Sequence, residues 1–466
     1  MNFDELKKLL QSPENEQIEY KEAKAQYDVK KLMKYCVAFA NEGGGKLVFG
    51  VNDQRKIIGT QAFKDTGAIK SKILDKLRIL VDIVELQDGN KRIVVFNIPA
   101  RPRGTALHFE GAYFMRSGEE LVPMSPDQLQ RIFEEGKPVF EFQRAIQNIT
   151  ADKVVSLLDV QSYFDLINIP LPKTQSAILD RLNREKLVIK DNAHYSITNL
   201  GAILFAKNLN DFEWLARKAV RLVVYDGNSK LQTIRDITGI KGYAVAFKSL
   251  IQYVMGQIPT HEVIEEALRK QVHQYPKLAI RELVANALIH QDFESRGNNV
   301  MIEIYDNRIE ISNPGKPIIT PDRFIDEYQS RNEKLADLMR RLHICEEKGS
   351  GIDKALIEIE ADKLPALDIR VGETRTIVSM QARKSFDDMN KSERIQACYQ
   401  HCCLKYVMGE MMTNQSFRER LGISESKASR EAVSRTIAAT LEKKMIQLNA
   451  PENSSKRYAK YIPYWS

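Results

Sequence analysis

Glu282, Asn286 and His290 lie four residues apart within the stretch RELVANALIHQDF, residues 281–293. Side chains at i and i+4 meet on a helix surface, so this spacing lines up a carboxylate, an amide and an imidazole. Leu283, Val284, Ala287 and Leu288 make an adjoining apolar stripe, which would seat the helix on a sheet and aim the polar line at a ligand. Three later features suit a ligand that carries phosphates: SNPG at 312–315, QSRNEKL at 329–335 and EEKGSGI at 346–352. Glycines before a helix start, here Gly349 and Gly351 on either side of Ser350, let backbone N–H groups approach phosphate oxygens. An Asn oxygen can complete a Mg²⁺ shell otherwise made of water and phosphate. A Glu one turn away can deprotonate the water that attacks a γ-phosphate. The SNPG turn can set Asn313 against a base edge. Four such features in this order point to a nucleotide site.

A second set of acids lies near the N-terminus. Glu14, Glu19 and Asp53 sit in segments that precede or end strands. Three converging carboxylates would bind a divalent metal and support phosphodiester cleavage. Lys21, Lys24, Arg101, Arg103 and Arg116 are the basic residues of this region expected to meet phosphates. A third set lies at the other end. From Gln381 to Ser466 there are 15 Lys/Arg and 9 Asp/Glu, so this stretch carries +6 of the net charge of +7. Its segment 413–448 reads as helix, turn, helix, with Gly422 ending the first helix and Val433, Ile437 and Leu441 forming the buried stripe of the second. Lys427, Arg430 and Arg435 would lie on the exposed side of that second helix and Lys456 and Arg457 on a wing, an arrangement that suits duplex DNA. CYQHCC at 398–403 fits a helix face and has no second pair at zinc-finger spacing, so these residues are read as structural.

The elements that must position these residues fall into four blocks along 466 residues. Residues 1–135 mix strands (GKLVFGVND, KRIVVFNIPA) with helices, and 136–208 are mainly helical, with a hairpin of winged-helix pattern. Residues 209–383 hold strands around the helix first described, and 384–466 form the basic helix-turn-helix block, after the polar stretch RKSFDDMNKSE. The fold class is α+β and multidomain. A chain 43% hydrophobic and 28% charged is globular, and it has no apolar run of the roughly 18 residues that span a bilayer. Five cysteines and an N-terminus without an apolar signal core suit a reducing cytoplasm.

These motifs carry two resemblances. IEYKEA (18–23), AFANEGGGKLVFGVND (38–53) and GAYFMRSGEELVPMS (111–125) resemble the Schlafen AlbA_2 domain. In relatives with RNase activity two Glu and one Asp form the active centre, which implies that role for Glu14, Glu19 and Asp53. The third block looks like the GHKL ATPases, closest to the divergent version in bacterial transcriptional regulators. That resemblance implies Glu282 as general base and Asn286 on Mg²⁺, with Gly349, Ser350 and Gly351 around phosphates. It puts Ser330 to Asn332 at the nucleotide lid. Where the family has an Asp for the adenine amino group this chain has Asn313, followed by Pro314 and Gly315. Its amide oxygen can accept from that group and its NH₂ can donate to the ring. Either Thr374 or Thr376 approaches the base, and Thr374 is carried in the candidate set. The function implied is an ATP-binding and ATP-hydrolysing, Mg-dependent switch that binds nucleic acid, DNA ahead of RNA, as a transcriptional regulator. The alternative is an ATP-gated metal-dependent nuclease. A homo-oligomer is expected from the resemblance to GHKL ATPases.

Overall fold

The structure is a computed structural model describing residues 3–118, 120–136, 139–265, 268–295, 297–346, 351–449 and 459–466. Gly349, Ser350, Lys456 and Arg457 therefore lie outside the described residues. The chain divides into two compact units, Met1–Pro138 and Val139–Ser466.

In the first unit, strand runs of β-branched and aromatic residues alternate their side chains between two faces. Helix α1 (Phe3–Leu9) precedes β1 (Ile18–Lys21), α2 (Val29–Asn41), β2 (Gly45–Phe49), α3 (Thr66–Leu77), β3 (Asp82–Asp88) and β4 (Lys91–Ile98). The sheet order is β1-β2-β4-β3, parallel only between β1 and β2. Leu47, Phe49, Val94 and Phe96 pack under α2 and α3, and Val48, Ile93, Val95 and Tyr20 pack with Leu6 of α1 on the other face. The hairpin β5 (Phe114–Ser117) and β6 (Glu120–Pro123) and helix α4 (Pro126–Glu135) complete the unit.

The second unit begins with β7 (Arg144–Ile149), α5 (Ala151–Leu157), α6 (Val160–Leu166), α7 (Gln175–Arg184), β8 (Val188–Asp191) and β9 (His194–Thr198). These three strands pair in the order β7-β9-β8 and lead into α8 (Asn199–Phe205). Next come β10 (Arg221–Tyr225), β11 (Thr233–Thr238), α9 (Tyr243–Gln257) and the hairpin β12 (Thr260–Glu265) and β13 (Leu268–His273). Then follow α10 (Lys277–His290), β14 (Met301–Ile304), β15 (Arg308–Pro314), α11 (Glu333–Arg341), α12 (Gly351–Ala361), β16 (Asp368–Val371) and β17 (Arg375–Gln381). Six of these strands form one mixed sheet, β11-β10-β14-β15-β17-β16. One continuous apolar core runs from Val154 and Leu182 through Leu283 and Leu288 to Met380, so the three-stranded block and the six-stranded block share their interior. Polar contacts reinforce that junction: Glu141 accepts from the Leu335 N–H at 2.7 Å, and Arg341 pairs with Glu185 at 2.7 Å.

The unit ends in α13 (Lys391–Val407), α14 (Asn414–Leu421), α15 (Lys427–Glu442), β18 (Ile446–Leu448) and β19 (Tyr461–Pro463), the last two paired antiparallel. The core of this block is Cys398, Cys402, Cys403, Phe417, Val433 and Ile437. Among the described residues no helix is long and apolar enough to cross a membrane.

Candidate functional site

Helix α10 buries Leu283, Val284, Ala287 and Leu288, the stripe read from the sequence, together with Ile280, and so presents the polar line to an open cavity of about 1070 Å³. Glu282, Asn286 and His290 all line it. Glu282 is 1% exposed, and one carboxylate oxygen is held by Arg281 Nη1 at 2.5 Å. Burial pushes the Glu282 carboxyl above the ordinary carboxylate range, against the opposing pull of Arg281. Burial also drives His290 down to about 4, so its imidazole stays neutral at physiological pH.

The start of α12 closes the cavity at Glu282. A Cβ on Gly351 would stand 2.8 Å from Glu282 Oε2, so only glycine lets the helix terminus come this near the carboxylate. Glu346 and Cys345 line the same wall. Asn286 offers a neutral oxygen beside Glu282. Among the described residues no three His, Cys, Asp or Glu gather to hold a metal ion. This donor set fits a Mg²⁺ ion that keeps water and phosphate as its other ligands.

At the far end, Asn313 and Thr376 face each other across β15 and β17. Asn313 is 8% exposed, and its Nδ2 donates to the carbonyls of Pro314 at 3.1 Å and His290 at 3.5 Å. That leaves Oδ1 as the atom for a base, so the expected second role, donation from the NH₂, is not open to it. Thr376 lines the cavity and donates Oγ1 to the Gly315 carbonyl at 2.8 Å. Thr374 is exposed and contributes its carbonyl to the Gly315 N–H at 2.8 Å, so the candidate threonine is corrected from Thr374 to Thr376. Gly315, at φ +94°, makes the turn: a Cβ there would lie 2.7 Å from Asp292 Cβ. Its part is to shape the turn, outside the cavity lining. Asn332 is also corrected. Its Nδ2 donates to the Ile289 and Gln291 carbonyls at 2.7 and 2.8 Å, satisfying the end of α10. Its neighbour Arg331, the middle residue of the stretch expected at the lid, lines the cavity together with Lys316, Phe324, Glu327 and Tyr328, four residues that the sequence did not mark.

The N-terminal acids do not converge in this way. Glu19 is 2% exposed and is bound by Arg116 at 2.5 Å, by the Tyr35 hydroxyl at 3.0 Å and by Lys21. Glu14 accepts from the Tyr20 N–H at 2.7 Å, and Asp53 is exposed in a turn. Arg116 is fully buried, so it is a partner of Glu19 and not a phosphate contact, and Lys21 is likewise engaged. Arg103 is exposed, as expected of a surface cation, whereas Arg101 forms a fork with Glu135 at 2.7 and 2.8 Å.

Helix α15 is capped by Ser426, whose side chain accepts from the Ser429 N–H, and buries Val433, Thr436, Ile437 and Thr440. Lys427, Arg430 and Arg435 are exposed on its opposite side with Glu431 and Ser434. The cysteines of CYQHCC are buried, and burial pushes the thiols of Cys398 and Cys403 up to about 12.

The family comparisons agree with this division. Residues 14–125 match the family described as "Schlafen, AlbA_2", and residues 297–380 match HATPase_c_4, described as "Putative ATP-dependent DNA helicase recG C-terminal". The second match includes Asn313 and Thr376 but begins after α10. No curated protein matches the chain. Among solved structures, the DIP2311 protein from Corynebacterium diphtheriae is similar at 17% identity, over 94% of this chain and 92% of that one, with a TM-score of 0.44. The N-terminal domain of a "Putative ATP-dependent DNA Helicase RecG-related Protein" from Nitrosomonas europaea is similar at 23% identity, over 25% of this chain and 89% of that one, with a TM-score of 0.19. The chain is thus a multidomain α+β protein with an AlbA_2 domain and an HATPase_c_4 domain.

Proposed function

We propose that this chain is an ATP-hydrolysing switch that controls nucleic-acid binding by its C-terminal winged helix, with transcriptional regulation as its task. The observation that carries the reading is that the walls of the nucleotide cavity are also the supports of the winged helix. Helix α12 begins against Glu282 and carries Glu360 in its last turn, whose carboxylate holds His401 of α13 at 2.8 Å and Arg420 of α14 at 3.5 Å. Beyond α12, Gln400 and Leu367 exchange hydrogen bonds at 3.0 and 2.8 Å. The segment 316–329 is double-faced too. Phe324, Glu327 and Tyr328 line the cavity, while Asp322 receives the Tyr464 hydroxyl through its side chain and the Tyr399 hydroxyl, at 2.6 Å, through its carbonyl.

Chemically, Asn313 Oδ1 accepts from a base amino group, and Lys316 and Arg331 offer positive charge to phosphates. Asn286 would hold Mg²⁺, which neutralises phosphate charge when bound. Glu282, its pKa raised by burial, is a stronger proton acceptor than an exposed carboxylate and orients the attacking water. Any displacement of α12 or of 316–329 reaches α13 directly, and α15 carries three exposed cations for the DNA backbone.

The test is duplex-DNA affinity of the full chain by fluorescence anisotropy, with no nucleotide, with ATP and with a non-hydrolysable analogue. Affinity should change at least about 5-fold between states, the lower end of ordinary coupling between sites. Glu282→Gln should bind ATP normally, lose about 10²–10⁴-fold in turnover and hold the ATP-state affinity. Equal DNA affinity in all three states would remove the switch reading.

A further inference from the structure

The wall of the cavity built by β15 and β17 accepts hydrogen bonds but has no side-chain donor to give. The Asn313 amide already donates to the carbonyls of Pro314 at 3.1 Å and His290 at 3.5 Å, so only its Oδ1 is left for a ligand. Thr376 donates its hydroxyl to the Gly315 carbonyl at 2.8 Å and keeps only lone pairs. The two are cross-strand partners and both line the cavity. Such a pair of acceptors suits an exocyclic amino group. In adenine the ring nitrogens on either side of that group, N1 and N7, carry lone pairs, and one of them must meet a donor if the base is to be held by more than its amino group. Guanine would set a carbonyl oxygen against the same two acceptors.

We propose that His290 is the missing donor: its ring N–H bonds a ring nitrogen flanking the adenine amino group, so that His290 and Asn313 together select the base. The inference rests on the nucleotide reading of this cavity. The carbonyl of His290 is one of the two that receive Asn313 Nδ2, so these residues adjoin. The His290 side chain lines the cavity one helical turn beyond Asn286, and among the described residues neither ring nitrogen has a hydrogen-bond partner. Tyr328 stands edge-on to the imidazole, with centroids 6.1 Å apart and planes at 77°, which limits how the ring can turn. Burial and the nearby Arg331 keep the ring neutral, with one N–H and one lone pair. Of the other donors lining the cavity, Tyr328 and Gln329 are exposed, Lys316 and Arg331 are cations that suit phosphates, and Asn286 stands beside Glu282.

The test is nucleotide affinity of the full chain by isothermal titration calorimetry, with ATP, 1-deaza-ATP and 7-deaza-ATP. Each analogue replaces one flanking ring nitrogen by C–H. One of them should bind wild type about 10-fold more weakly than ATP, the ordinary loss when a donor is left unpaired, while the other binds like ATP. His290→Phe keeps a ring against Tyr328 but has no N–H. It should bind ATP about 10-fold more weakly and bind the sensitive analogue no worse than wild type does, because the same hydrogen bond is removed from either side. The wild-type comparison needs no variant, so a poorly folded His290→Phe cannot hide the answer. Wild type that loses affinity for neither analogue, or for both equally, overturns the proposal and leaves the nucleotide reading in place. So does a His290→Phe protein that binds ATP and the sensitive analogue more weakly by the same factor. A wild type that binds no ATP removes both.

Discussion

Glu282 and Glu19 look alike in isolation: both are glutamates, both sit beside a basic residue, and both are almost fully buried, at 1% and 2% exposure. They differ in what their oxygens meet. Glu19 is surrounded, with Arg116 at 2.5 Å, Tyr35 at 3.0 Å and Lys21 all directed at it. Glu282 is held on one oxygen by Arg281, and its other oxygen faces Gly351, beside a cavity of about 1070 Å³. The first carboxylate is a tie between β1 and the β5–β6 hairpin. The second has space in front of it and a raised pKa, which a proton acceptor needs. Burial alone therefore does not mark a catalytic acid; an unfilled approach to the carboxylate does.

The largest effect should come from removing the tie. Glu19→Ala leaves the Arg116 guanidinium buried without its counter-charge. Breaking one side of a buried pair costs about 3–5 kcal/mol. Urea unfolding followed by a probe in the N-terminal unit should show that loss, while ATP turnover stays at the wild-type level. A variant of wild-type stability that had lost a nucleic-acid cleavage activity would reverse the comparison and restore Glu19 to a catalytic role. Gly351→Ala should be milder for folding and sharper for chemistry. Its Cβ would lie 2.8 Å from Glu282 Oε2, so either the carboxylate or the start of α12 must shift. A misplacement of about 1 Å is enough for a roughly 10²-fold loss in turnover. Steady-state kinetics beside the urea midpoint separate the two effects, and unimpaired turnover would show that Glu282 does not work from this position.

The features that could be read in the chain were those fixed by short-range geometry. The i,i+4 spacing set Glu282, Asn286 and His290 on one cavity wall, and the runs of β-branched residues gave the strands that share a core with their helix. What was missed depends on partners far away in sequence. Thr376, not Thr374, reaches the cavity because it is the cross-strand partner of Asn313, a register that only the pairing of β15 with β17 defines. Asn332 lies in a lid-like stretch, yet its amide caps α10, 41 and 43 residues away. Arg116 reads as a surface cation until its contact with Glu19, across the whole first unit, is known. The helix-and-hairpin run of α7, β8 and β9 and the helix, turn and helix of α14 and α15 were legible, by contrast, because each is local in sequence.

A third acid gives the smallest and most exacting test of the rule. Asp353, in the first turn of α12, has a buried Oδ1 without a hydrogen-bond partner among the described residues, and none of their cations offsets it. A helix N-terminus favours a negative charge there. Burial wins, helped by Asp326, and pushes the carboxyl up to about 6 from 3.8. A folded-state value above the unfolded one means that the native protein holds this proton more tightly. Stability should therefore rise as pH falls from above about 6 towards 3.8, and the charged form should cost stability at pH 7.5. The site is partly open to solvent, which trims that cost to about 1 kcal/mol. Asp353→Asn should accordingly melt roughly 2 °C above wild type at pH 7.5, and the gap should shrink to about half near pH 5 and close only towards 3.8. Glu19, ringed by donors, should gain nothing from neutralisation under the same conditions, so Glu19→Gln should melt lower at both values. Equal melting of Asp353→Asn and wild type at pH 7.5 would mean that solvent already relieves Asp353, and that an open approach without a donor is not enough to raise an acid in this protein.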